Sequence, residues 1–270
     1  MVQDNRARLK QWLESGEARL HPLTFPQREL WETSPLPAAD VANNIRAFIR
    51  VHGLLSSQAC EEAVQKVVDR QEVLRLSFLP GKGRSLQMVR TTGKAVLRFR
   101  ELASWQRQPE EIEELVREMT SKPFDLVQGP LYRTEVLRCS ADEHVLVFAI
   151  HHAIADGWTL GVFVQDLFAA YLQELIGVRT ALPPVALSYS AWGVAERAFW
   201  QPAELEQRAS FWKTRLAGTC RLWNTPTSGA LQRCVSQVPA DLGRAVRDLA
   251  RRHGATLFST LLAAFQITLS

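Results

Sequence analysis

Apolar positions along this chain fall into two rhythms, one of period two and one near 3.6, and they interleave from end to end. Ile45, Ala47, Ile49 and Val51 alternate with Arg46, Phe48 and Arg50, which predicts a strand. Ser56 or Ser57 then caps a predicted helix running to about Asp69, with Ala59, Ala63, Val64, Val67 and Val68 as its apolar stripe. Further strands are predicted over Val73 to Leu79, Leu86 to Arg90 and Val96 to Phe99, with Pro80-Gly81-Lys82-Gly83 as a turn. A helix is expected from about Glu110 to Thr120. Pro123 and Gly129-Pro130 bracket a loop. Leu131 to Leu137 and His144 to Ile150 then read as a pair of strands joined across Cys139 to Glu143.

Earlier in the chain, Asn5 to Leu13 reads as a short charged helix, and Leu23 to Glu32 as a turn entering a helix with Leu30 and Trp31 packed inward. After the strand pair, a helix from about Gly157 to Leu175 presents Val162, Phe163, Leu167, Phe168, Tyr171 and Leu175. Thr180 to Pro184 reads as a linker. Helices near Ala191 to Phe199 and Ala203 to Leu216, a strand near Cys234 to Val238 and a helix from Ala240 to His253 follow. Thr256 to Ser270 carries a strongly apolar helical pattern that ends without Gly, Pro or a basic last turn, so the chain is expected to stop inside a larger fold. Strands mixed with helices in this order predict an α/β (α+β) fold.

Composition bounds the function classes. With 270 residues, 46% apolar and 22% charged, the chain reads as an ordinary globular protein with eight Trp and twelve Phe to fill its core. The net charge of +4 comes from scattered residues, and no basic block with interleaved aromatics argues for nucleic acid. Cys60, Cys139, Cys220 and Cys234 form no CxxC pair, which predicts reduced thiols and a cytoplasmic setting. No apolar leader or membrane-length run is evident.

The candidate chemistry lies in His151-His152-Ala-Ile-Ala-Asp156-Gly157. The apolar run Val145 to Ile150 predicts a strand buried on both faces, and a helix begins at the Gly. Adjacent strand residues point to opposite faces, so one His should pack inside and the other should meet a substrate. An imidazole titrating near ~6.5 suits accepting a proton from an attacking amine, or orienting it. Asp156 stands at the turn, and Gly157 can offer a backbone N–H at a helix N-terminus, where partial positive charge favours a developing oxyanion. A lone His at a strand end is usually a core residue and an Asp before a helix is usually an N-cap; the joint pattern is far rarer than its parts. Metal ligation is the weaker alternative, because adjacent strand histidines diverge and no further ligand cluster lies near in sequence. Neither a G-x-S-x-G elbow nor a phosphate-binding glycine loop is present.

HHAIADGW resembles the HHxxxDG core motif of the condensation domains of nonribosomal peptide synthetases. Leu23 to Trp31 resembles that family's first motif, centred on Gln, Arg and an aromatic. Asp69 to Phe78 is similar to its second, with Gln71 where His is usual and Leu76 where Thr is usual. Pro123-Phe124-Asp125-Leu126 followed by Gly129-Pro130-Leu131 matches a further stretch, and Leu187 to Arg197, with Tyr189 and Trp192, looks like a divergent fourth motif.

The resemblance implies a chloramphenicol acetyltransferase-like two-layer fold. Residues 3–178 would form the N-terminal lobe and 179–270 the start of a second, incomplete one, with an active-site tunnel between lobes. It implies amide formation between donor and acceptor thioesters on phosphopantetheine carrier proteins, alongside adenylation and other synthetase domains, with no directly bound cofactor or metal. His152 would be the catalytic histidine and Gly157 the amide near the thioester oxygen. His151 and Asp156 would be structural, with Asp156 paired to Arg75, or to Arg70 in its place. A related ester-forming acyltransferase and a non-catalytic carrier-docking module remain as alternatives.

Overall fold

The computed structural model describes residues 9–33, 41, 43–81, 85–103, 109–177, 182–219 and 236–269. Contacts divide the chain into two compact units, Met1–Thr219 and Cys220–Ser270. The first unit carries β1 (Ala18–Pro22), α1 (Phe25–Thr33), β2 (Asn44–His52), α2 (Ser57–Arg70), a 3-10 turn (Glu72–Arg75), β3 (Leu76–Leu79), β4 (Leu86–Arg90), β5 (Leu97–Glu101), α3 (Pro109–Thr120), β6 (Tyr132–Arg138), β7 (Glu143–His151), α4 (Gly157–Ile176), α5 (Tyr189–Phe199) and α6 (Pro202–Arg215). The second unit carries α7 (Ala240–Arg252) and α8 (Leu257–Leu269).

Two sheets form. The smaller is antiparallel, in the order β1-β4-β3, and the larger runs β2-β7-β6-β5. Within the larger sheet only β5 and β6 are parallel, and α3 lies between them in sequence, as a parallel pair requires a crossover. β6 and β7 pair antiparallel across a tight turn in which the Cys139 and Ser140 amides donate to the Glu143 carbonyl. β7 has a hydrogen-bonded neighbour on each side and is buried from His144 to His151. This is why its sequence is apolar without alternation.

Helices α2 and α4 share the core with this sheet. Ala63, Val64, Val67 and Val68 of α2 and Phe163, Leu167 and Ala170 of α4 are buried with Phe148 and Ile150, and the Phe148 and Phe163 rings meet edge-on at 5.1 Å. Full burial of a large apolar side chain is worth roughly 1.5–3 kcal/mol, so this shared cluster, more than helix propensity, fixes the two helices. Polar contacts set their register. Arg70 donates to Asp166 at 2.9 Å and Gln71 to the same oxygen at 2.6 Å, and the Tyr171 hydroxyl accepts from the Ser56 amide at 3.1 Å.

Several expectations change. β1 is an added strand: its ARLHP sequence lacks alternation, and pairing with β4 creates it. The strand expected from Val73 begins only at Leu76, because Leu74 N–H donates back to the Gln71 carbonyl and closes a 3-10 turn. On α4, Val162, Phe168 and Leu175 are exposed, because the sheet and α2 cover only the stripe through Phe163, Asp166, Leu167 and Ala170. Of the strand expected near Cys234 to Val238, Cys234 lies outside the described residues and 236–238 are not in a strand. The turn residues Lys82 and Gly83, part of the expected linker, and the start of the first expected helix also lie outside them.

In the second unit, Ala250 is the one buried residue among those described, and α8 buries none. Among the described residues no helix is long and apolar enough to cross a membrane.

Candidate active site

Strand β7 delivers the motif. It ends at His151, paired in register with Asn44 of β2, and the His151 and His152 amides donate to the Leu131 and Asn43 carbonyls at 2.9 and 2.7 Å. His152 is the first residue past that end. His151 is buried at 2% exposure, while His152 is exposed. The inner ring is held tightly. Ala153 N–H donates to His151 Nδ1 at 3.1 Å, so that nitrogen is unprotonated, and Phe124 packs edge-on at 6.1 Å. The Arg133 guanidinium lies over Phe124 in turn, 3.8 Å from the ring centre. Asn44 Nδ2 donates to the Thr120 and Lys122 carbonyls at 2.9 and 3.0 Å, tying the end of α3 to the same corner.

The chain turns at 151–154, where Ile154 N–H donates to the His151 carbonyl, and then enters α4. Asp156 is the N-cap of that helix. Its carboxylate accepts from the Thr159 amide at 2.8 Å and from the Thr159 hydroxyl at 2.7 Å, while Thr159 Oγ1 accepts from the Asp156 amide, a reciprocal box. The Thr159 hydroxyl and amide, with smaller help from the Trp158 amide and the neighbouring His152, hold the Asp156 carboxyl below its usual range against a slight desolvation. Gly157 opens the helix with open space where a Cβ would stand, and Trp158 beside it is 83% exposed.

The expected pairing of Asp156 with an arginine is corrected here. Among the described residues its carboxylate pairs with Thr159. Arg70 instead binds Asp166, nine-tenths buried on α4. Arg75 lies over Gly93 and donates to the carbonyls of Arg90, Val68 and Asp69. The cause is local: an N-cap aspartate finds its donors in the first turn, and the guanidinium of Arg75 closes the carbonyl end of α2.

Sequence reading missed how the other motifs reach this corner. Thr24 and Gln27 form a capping box at α1: the Thr24 amide donates to Gln27 Oε1 at 2.9 Å and the Gln27 amide faces Thr24 Oγ1 at 3.4 Å. Gln27 Nε2 then donates to Gln87 Oε1 at 3.1 Å and to the Ala153 carbonyl at 3.4 Å. The fourth segment docks on the first, with the Thr24 and Tyr189 hydroxyls 3.0 Å apart, Glu196 accepting from the Phe25 amide at 3.0 Å, and Arg197 bonding the Leu23 carbonyl. Burial pushes the Tyr189 phenol up, and Glu196 and Asp156 add to that shift against the Thr24 hydrogen bond. An open cleft of about 410 Å³ lies between the second and fourth segments, lined by Arg70, Arg75, Leu187, Tyr189 and Trp192 among others; His152 does not line it. Groups of three or more potential metal-ligating side chains do not occur among the described residues.

A family model described as Condensation domain matches residues 17–270. The chain belongs to the condensation-domain family. It is 30% identical over 257 residues to phosphinothricin tripeptide synthetase PhsC of Streptomyces viridochromogenes, across 90% of this chain and 23% of that protein. It is 30% identical over 262 residues to chondramide synthase cmdD of Chondromyces crocatus, across 92% of this chain and 7% of that protein. Among solved structures it resembles the SgcC5 protein of Streptomyces globisporus, with a TM-score of 0.76 and 25% identity over 92% of this chain and 59% of that one. The condensation domain described here therefore corresponds to a part of each relative. Its two-sheet α/β architecture is the chloramphenicol acetyltransferase-like class.

Proposed function

We propose that this condensation domain joins an acyl or peptidyl thioester to the amine of an aminoacyl thioester. Residues 3–178 would serve as its N-terminal lobe and 179–270 as the beginning of the second. The observation that carries the reading is the division of labour at the end of β7: His151 is locked inside and His152 is left open to solvent, ahead of a capped helix N-terminus.

The chemistry needs few groups. The neutral acceptor amine attacks the donor carbonyl carbon, a C–N bond forms and the carbonyl oxygen gains negative charge. Collapse breaks the C–S bond, and the pantetheine thiolate leaves and takes a proton. His152 orients the attacking amine and accepts the proton it sheds. The Gly157 amide, at the positive end of α4, faces the developing oxyanion. A thioester is already activated, so holding the two arms together away from water supplies much of the acceleration. The substrates would arrive on phosphopantetheine carrier proteins in the cytoplasm, with adenylation domains loading them, and the domain itself would bind no cofactor.

The test uses the full-length protein with proteinogenic aminoacyl-pantetheine thioesters as donor and acceptor, with product read by mass. His152→Ala should lower amide formation on the order of 100-fold or more while the protein melts as wild type. A His152→Ala protein with undiminished rate removes the proposed role. An ester product formed from a hydroxyl acceptor in preference to the amide points to the acyltransferase reading instead.

A further inference from the structure

Two almost wholly buried glutamines occupy the space behind the motif. Gln27 is 2% exposed and Gln87 is 1% exposed. A buried primary amide is costly unless its donors and acceptor are used. Here they are used in a line. Gln27 Oε1 accepts from the Thr24 amide, and Gln27 Nε2 supplies Gln87 Oε1 and the Ala153 carbonyl. Gln87 Nε2 in turn donates to the Pro22 carbonyl at 2.9 Å. These bonds also fix which end of each amide is oxygen, since a reversed Gln27 would set an N–H against the Thr24 amide.

Ala153 is the residue directly after His152. Its N–H holds the His151 ring and its carbonyl is held by Gln27, so both polar groups of that residue are committed to buried partners. The peptide ahead of it is fixed too, because the His152 amide donates to Asn43. The backbone on both sides of the exposed imidazole is therefore set from inside the body.

The geometry points to Gln27 as a positioning residue for His152: acting through the Ala153 carbonyl and braced by Gln87, it fixes where the imidazole stands without touching substrate. This rests on His152 being the working imidazole, as proposed above. The capping box offers a clean separation of roles. Glu at position 27 can still accept from the Thr24 amide, because Glu serves that position in capping boxes as Gln does. Ionised, it has no hydrogen to give to Ala153 or Gln87, and protonated by burial it has one where the amide has two, so the pair of bonds is lost either way.

In the full-length protein, assayed with the same aminoacyl-pantetheine thioesters, Gln27→Glu should lower kcat on the order of 100-fold with KM unchanged, the size expected for a reacting group displaced by about an ångström. Gln27→Met, which brings no charge into the interior, should act in the same direction, as should Gln87→Met, which leaves the capping box whole. Thermal melting identifies which of the three are folded, and the folded ones are scored. The deciding measurement is a cycle with His152→Ala. If Gln27 works through that imidazole, none of these changes lowers the residual rate further once His152 is Ala. Folded variants with wild-type kcat, or losses that multiply in the His152→Ala background, overturn the positioning role while leaving His152 as the catalytic group. An undiminished rate in His152→Ala alone overturns the catalytic reading first, and this inference with it.

Discussion

At the scale of single residues, Asp156 shows how a motif residue can be conspicuous in sequence and still take a different role from its neighbours. Its oxygens are engaged by Thr159, and the arginines expected to meet it are engaged elsewhere. Asp156→Ala should therefore cost about 1 kcal/mol, the usual loss for an N-cap, and lower the melting temperature by roughly 2–4 °C in a chain of this size. Asp156→Asn should recover most of it. Calorimetry of both variants checks this, and a fall several times larger in Asp156→Ala would mean that a buried cation had been stranded after all. Much of this corner is legible in the sequence. The apolar run predicts a strand buried on both faces, and the strand-to-helix junction follows from that run and the Gly; His152 is open because it is the first residue past the strand. The partners are not legible. Gln27 and Gln87 stand 60 residues apart in sequence, and Arg70 meets Asp166 across two helices; such pairings leave no local pattern.

At the scale of elements, β7 carries a liability. His144 is 2% exposed in that strand, and its Nδ1 has no hydrogen-bond partner among the described residues. Burial, with Arg138 in support, pushes its pKa below the ordinary value of 6.5 against the smaller pulls of Glu101 and Asp142. The unfolded chain then binds a proton at higher pH than the folded one. Stability from this group is whole above about pH 6.5 and falls as pH drops through 6.5 toward the folded value. Melting temperatures measured from about pH 7.5 down to 5 should decline in wild type and decline less in His144→Leu. Equal slopes would show that His144 does not titrate differently in the two states. The elements themselves are readable where apolar periodicity is strong, as in α2, β2, β6 and β7. They are misread where tertiary partners decide, as in β1, which exists by pairing with β4, and at Glu72–Arg75, where a closed turn replaces the first half of an expected strand.

At the scale of the whole molecule, burial is unevenly shared. The larger sheet with α2 and α4 holds most of the core, whereas α7 and α8 expose nearly all of their apolar side chains and bury only Ala250. Local opening is cheapest where few apolar contacts must be broken. Amide hydrogen exchange on the 270-residue chain should find the slowest protons in β2, β6 and β7 and rapid exchange throughout α7 and α8. Protection in α8 matching that of β7 would contradict this.

The hydrogen-bonded neighbours on both sides of β7 also carry a consequence for which histidine works. Drawing that strand back by a single residue against β2 and β6 would carry His152 into the buried place of His151, and His151 into that of Ile150, which is buried as well. The two rings are thus not spares for one another. Deleting one residue from the strand would therefore bury both imidazoles and leave Ala153 in the open position ahead of the capped helix.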